Sequence, residues 1–202
     1  PPQSTTHRTT FVSLGEAYHG DTLGAIGVGG VDRFTSIFSP LTFESIRVPG
    51  PGMTASMSST GDGGPRTDAS SRRTTAAATL HELENLFKNQ GNEIAALIME
   101  PLVQAAGGIL VHPPGFLRAV RELTQRFNIL LILDEIAVGF GRTGTMFACE
   151  QEDVSPDILC LGKGLTAGYL PMAATITTAA IWKQFLGSHK DGRAFYHGHT
   201  FG

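Results

Sequence analysis

Ile94-Ala95-Ala96-Leu97-Ile98-Met99 and Ile129-Leu130-Leu131-Ile132-Leu133 are two unbroken apolar runs, and what lies between them decides the fold. Both are of strand length, and Pro101 stops the first. Between them the period changes. Phe116, Val120, Leu123 and Phe127 recur at helical spacing, Arg118, Arg121, Glu122 and Gln125 fall around the rest of the helix, Pro113-Pro114 marks its entry and Asn128 its C-cap. A strand that is apolar throughout suits a parallel sheet covered on both faces, so strand, helix and strand predict a right-handed βαβ unit.

Working outward, Thr79-Leu80-His81-Glu82 reads as a capping box opening a helix in which Leu80, Leu83 and Phe87 share a face and which Gly91 ends. Downstream, Ile158 to Leu161 and Ala173 to Thr177 predict two further strands, and Thr178 caps a short helix through Phe185 that stops at Gly187. From Pro49 to Ala78, Gly, Ser, Thr and Pro dominate, which predicts a long surface excursion. The pattern is α/β.

With 202 residues and 41% hydrophobic content, the chain can bury one sizeable core. Fifteen Lys plus Arg against 18 Asp plus Glu give a formal net charge of -3, which disfavours nucleic acid as a partner. No stretch approaches the ~20 apolar residues that span a bilayer, and Pro1 to Thr10 lacks the apolar core of a signal peptide, so no membrane partner and a cytoplasmic location are expected. Cys149 and Cys160 have neither the number nor the spacing of a disulfide framework or a zinc site. His197-Gly198-His199 lacks a nearby third ligand, so no metal is expected.

In an open α/β sheet, ligands collect beyond the carboxyl ends of the strands. Asp134 ends one apolar strand, and Lys163 follows another, between Gly162 and Gly164. Taken singly, Asp134 reads as a strand-end turn and Lys163 as a solvated loop cation. Jointly and in this order they suit pyridoxal phosphate: an amine holds the aldehyde as a Schiff base and moves the substrate proton, and a carboxylate keeps the pyridine nitrogen protonated. Tyr18, in Ala17-Tyr18-His19-Gly20-Asp21, could stack on a flat ring or be a core tyrosine at a turn. Arg142, in Gly139-Phe140-Gly141-Arg142-Thr143-Gly144, reads equally as a ligand for a substrate carboxylate and as a solvated cation. Gly198-His199-Thr200 could offer a hydroxyl and backbone N–H groups to a phosphate.

Tyr18-His19-Gly20, Met99-Glu100-Pro101, Leu133-Asp134-Glu135 with the glycine-rich segment after it, and Gly162-Lys163-Gly164 together closely resemble the class III, fold type I pyridoxal phosphate aminotransferases. The resemblance covers nearly the whole chain. It implies the central part of a large, mostly parallel-sheet domain in an α/β/α sandwich, with residues 1–202 a partial pyridoxal phosphate domain. An upstream Gly-Ser phosphate turn and a C-terminal small domain with a second substrate-binding arginine are expected outside it. Longer strings, among them Met146-Phe147-Ala148-Cys149-Glu150 and Pro156-Asp157-Ile158-Leu159-Cys160-Leu161-Gly162-Lys163, are similar to the biotin-pathway branch of this class. That branch implies 8-amino-7-oxononanoate as acceptor and S-adenosylmethionine or lysine as donor. The alternatives are another class III enzyme acting on ω-amino acids or diamines, and a noncatalytic piece that binds a partner chain or phosphate ligand.

By the same resemblance Lys163 is the Schiff-base lysine, Asp134 the pyridinium partner, and Tyr18 and His19 lie against the cofactor. Asp21 and Gly198 help to shape the substrate pocket, which Arg142 also lines. Thr200 reaches the cofactor phosphate of a neighbouring subunit, which implies a homodimer with a shared active site. Gln104 approaches the ring hydroxyl, next to Glu100.

Overall fold

A computed structural model describes residues 8–53 and 74–193. Its centre is a six-stranded sheet in the order β2-β1-β3-β6-β7-β8, made of β1 (Thr10–Leu14), β2 (Ile46–Val48), β3 (Ile94–Met99), β6 (Leu130–Asp134), β7 (Ile158–Leu161) and β8 (Ala174–Thr177). All neighbours run parallel except β8, which pairs antiparallel with β7. The predicted strand, helix, strand unit is β3, α4 (Phe116–Arg126) and β6, with Met99 opposite Leu133. A hairpin of two-residue strands, β4 (Val103–Gln104) with β5 (Leu110–Val111), is inserted between β3 and α4.

Val12, Leu14, Leu97, Met99, Leu131 and Leu133 form one buried cluster with Leu83 and Phe87 of α3 (Ala76–Gln90) and Phe116, Leu117 and Val120 of α4. Its apolar burial is the main driving force for the fold. The α4 N-terminus has no side-chain cap of its own, and Gly115 precedes it at φ +83. Instead the buried Glu152 carboxylate, on the Ala148–Glu152 turn, accepts from Gly115 N at 2.7 Å and Arg118 N at 2.8 Å. A carboxylate there satisfies donors that the helix leaves open and faces its positive end. At the other end, Asn128 is left-handed at φ +51, Ile129 N donates to Thr124 O and Asn128 N to Gln125 O, which is a Schellman closure.

Two expectations need correction. The helix α3 starts at Ala76, with Thr75 as N-cap accepting from Ala78 N at 3.1 Å, so Thr79 is no capping residue. Thr79 is fully buried in the helix, where its hydroxyl donates to Pro49 O at 2.8 Å. The alanines ahead of it are the best helix formers, which moves the start upstream and takes residues 76–78 out of the expected surface excursion. The C-terminal helix is also shorter than expected: α5 covers Ala179–Trp182 and a 3₁₀ turn covers Lys183–Phe185, while the Thr178 hydroxyl makes no cap bond. Among the described residues the remaining α-helices are α1 (Leu23–Val28) and α2 (Asp32–Thr35). Among the described residues no helix is long and apolar enough to cross a membrane.

Candidate active site

Four adjacent parallel strands bring their carboxyl ends to one edge of the sheet. Gly15 to His19 follow β1, Glu100 follows β3, Asp134 closes β6, and Gly162-Lys163 follow β7. Register sets the polar groups side by side, with Asp134 opposite Cys160.

Asp134 is 5% exposed. Its Oδ1 accepts from Ile136 N at 3.0 Å, and its Oδ2 lies 2.8 Å from His19 Nδ1. An ionised carboxylate only accepts, so Nδ1 carries the shared proton. His19 Nε2 is buried and has no hydrogen-bond partner among the described residues. Tyr18 is half-buried, its ring edge-on to Phe34 at 5.8 Å, and its hydroxyl donates to Asp21 Oδ1 at 2.8 Å. That hydrogen bond raises the Tyr18 pKa.

Lys163 is exposed, begins a one-turn 3₁₀ segment and sits at φ +36. Its side chain has no hydrogen-bond or ion-pair partner among the described residues. Left-handed backbone at a lysine is strained and has to be held by its surroundings. The flanking glycines show how. A Cβ at Gly162 would stand 3.2 Å from Ile136, and one at Gly164 would stand 2.7 Å from the Phe140 ring, so both glycines let the lysine turn press against the segment after Asp134. Phe140 in turn meets Phe147 edge-on at 5.8 Å. The fully buried Glu135 anchors this region by accepting from Ala148 N at 2.6 Å and Cys149 N at 2.8 Å. Burial, and then the adjacent Glu135, push the Cys149 thiol up to about 12.

Lys163 and the exposed Arg142 line one cleft of about 370 Å³, together with Ile136, Phe140 and Gly141. An amine and a guanidinium at one opening suit a substrate that carries both a reacting carbonyl and an anionic group. Cys160 is half-buried, and burial, followed by the charge of Asp134, raises its thiol pKa.

The structure thus brings Asp134 and His19 into direct contact, and Lys163 and Arg142 into one cleft. It does not give Gln104 an open side: this residue is fully buried, its Nε2 donating to Gly15 O at 2.8 Å and its Oε1 accepting from His112 Nε2 at 3.1 Å. Gly198 and Thr200 lie outside the described residues. The roles of Glu152 and His112 escaped sequence reasoning, since Glu152 caps a helix more than thirty residues away and His112 meets Gln104 only because the hairpin folds back.

A family model described as aminotransferase class III matches residues 2–202. An adenosylmethionine-8-amino-7-oxononanoate aminotransferase of Geobacter sulfurreducens is 48% identical over 197 residues, 96% of this chain and 41% of that protein. The crystal structure of the enzyme of the same name from Methanocaldococcus jannaschii superposes with a TM-score of 0.80 at 38% identity, covering 98% of this chain and 41% of that one. An amine transaminase from an uncultivated Pseudomonas species, in a pyridoxal phosphate-bound form, gives a TM-score of 0.79 at 32% identity, covering 96% and 42%. The chain therefore spans about two fifths of the length of these relatives.

Proposed function

This chain belongs to the class III aminotransferases, and from that premise we propose that the protein transfers an amino group to 8-amino-7-oxononanoate, giving 7,8-diaminononanoate for biotin biosynthesis. The observation that carries this reading is the shared cleft of Lys163 and Arg142, with the His19–Asp134 pair at the end of the adjacent strand β6, in a chain that is 48% identical to an adenosylmethionine-8-amino-7-oxononanoate aminotransferase.

The residues present fit the ring and aldehyde end of pyridoxal phosphate. Asp134 is locked from one side by His19 and from the other by a backbone amide, so it can face a pyridine nitrogen without reorganising. Lys163 offers an exposed amine with no competing partner among the described residues, and the half-buried Tyr18 ring supplies an aromatic wall. When bound, the cofactor supplies an electron sink that stabilises the carbanion formed at the substrate carbon.

Lys163 Nζ would hold the cofactor at its aldehyde end and, once displaced by the donor amine, carry a proton to and from the substrate carbon. Arg142 would fix the acceptor's carboxylate, and Asp21 would restrain Tyr18 through its hydroxyl. The amino donor in this reading is S-adenosylmethionine, with lysine as the alternative. Thr200 would reach the phosphate across a homodimer interface, with Gly198 near the substrate. The enzyme would act in the cytoplasm.

The test uses the full-length protein with pyridoxal phosphate. Borohydride should fix the cofactor on Lys163, 8-amino-7-oxononanoate should be aminated, and K163A should lose about 10²- to 10⁴-fold in rate. An unmodified Lys163 would overturn the assignment. The likeness to the amine transaminase favours a second reading, an ω-amine transaminase. Turnover of ω-amines with pyruvate, and none of 8-amino-7-oxononanoate, would select it.

A further inference from the structure

The turn after β1, Gly15 to His19, carries the imidazole that meets Asp134, yet nothing within the turn fixes the ring's direction. Backbone bonds from Gly15 N to Val48 O, Glu16 N to Gly30 O and Gly30 N to Ala17 O seat the first half of the turn, and three side-chain contacts from outside hold it as well. The Gln104 amide nitrogen donates to Gly15 O at 2.8 Å, the Glu100 carboxylate accepts from Tyr18 N at 3.2 Å, and His19 Nδ1 reaches Asp134 Oδ2 at 2.8 Å. The first two come from one short segment, residues 100–104, which follows β3 and runs through the hairpin strand β4.

Glu100 is 3% exposed, and its second oxygen accepts from Ala105 N at 2.9 Å. It therefore ties the turn after β1 to the hairpin that follows β3. This carboxylate is costly where it stands: burial raises its pKa, and the nearby charge of Asp134 adds to that, while the Ala105 and Tyr18 amides and His19 pull the other way. A buried acid close to a second one is a poor choice for stability alone, since an apolar side chain would fill the space without desolvating a charge.

Gln104 backs this anchor. The Gly15 carbonyl can only accept, which turns the Gln104 NH₂ towards it and Oε1 towards His112 Nε2. Burial lowers the His112 pKa to about 4, so His112 is neutral near pH 7 and holds Gln104 through its single N–H. A Cβ at Gly50 would stand 2.9 Å from Gln104 Oε1, so the amide is confined on that side too.

We propose that Glu100 and Gln104 are positioning residues, which clamp the turn at Gly15 and Tyr18 and so hold the His19 imidazole against Asp134. This rests on the reading of Asp134 as the cofactor's carboxylate partner and moves Gln104 from the ring to the support of the turn. The two acids play different parts, since Asp134 meets the cofactor and Glu100 acts through the backbone that carries His19. In E100Q one carboxylate oxygen becomes an NH₂ group set against a backbone N–H, so one of the two bonds is lost with little change of shape.

The test is NMR of the full-length protein prepared without cofactor, labelled with ¹⁵N-histidine, following the His19 Nδ1 proton assigned through H19N. In E100Q this proton should exchange with water roughly tenfold faster, as expected for loss of a hydrogen bond to a charged group, and Q104A should shift it in the same direction. In E152Q, altered at the remote cap of α4, it should stay unchanged. A folded E100Q with the parent's exchange rate and chemical shift overturns the proposal. If E100Q does not fold, Q104A decides, and an unchanged His19 proton there overturns it equally. Because no cofactor is present, failure of the clamp is distinct from failure of the cofactor reading, which the borohydride experiment on Lys163 tests separately.

Discussion

A Cβ placed on Gly164 would stand 2.7 Å from Cδ2 of Phe140, so the residue after the lysine is held against an aromatic ring with no room for a side chain. We expect G164A to push the Lys163 turn away from the cleft and to lower the single-turnover rate of the full-length protein about 10²-fold, the scale of an ångström-sized misplacement. The double variant F140A/G164A removes the clash and should recover more than the sum of the single effects predicts. Equal losses in G164A and the double variant would show that Phe140 does not position the turn.

Arg142 shares its cleft with Lys163, and among the described residues its guanidinium has no hydrogen-bond or ion-pair partner, the residue's only bond being from the backbone N to Gly139 O. If it receives the acceptor's carboxylate in both ground and transition states, R142A should raise KM for 8-amino-7-oxononanoate about tenfold, the worth of one charge-assisted hydrogen bond. The maximal rate should hardly change. A fall in kcat with KM unchanged would instead give Arg142 a part in the chemical step.

The Glu152 carboxylate is the N-terminal cap of α4, accepting from Gly115 N and Arg118 N. E152A leaves both donors without a partner and should destabilise the fold by about 2 kcal/mol. The change should appear as a lower urea midpoint with an unaltered m-value.

His112 gives the fold a pH dependence of definite sign. Its folded pKa, about 4, lies below the ordinary histidine value of 6.5, so between these the unfolded chain binds a proton that the folded one refuses. Stability therefore falls as pH drops from about 6.5 towards 4, by up to about 3 kcal/mol from this residue. Glu100, with a raised pKa, works in the opposite direction where it takes up its proton. Urea midpoints from pH 7 to pH 4 should decline less steeply in H112Q than in the parent, and identical slopes would remove His112 as the cause.

The segment from Ile94 to Asp134 was legible because period alone separates α4 from the strands on either side. Lys163 and Asp134 were legible because polar residues closing apolar strands fall at one edge of a parallel sheet. The three-residue strand β2 carries too little pattern to be read, and Thr79 misled because a threonine three residues before an acid looks the same inside a helix as at its start. Gln104 shows a further limit. Its place after β3 is visible in sequence, but the partners that bury its amide, Gly15 and His112, come from two other segments and only the folded chain joins them.

Cys160 stands opposite Asp134 in the sheet, three residues ahead of Lys163 in the same strand and turn. Burial and the neighbouring carboxylate keep that sulfur protonated, because its pKa lies above the ordinary thiol value. The carboxylate of Asp134 thus reaches across the strand pair: beside burial, its charge makes the sulfur opposite it a weaker acid.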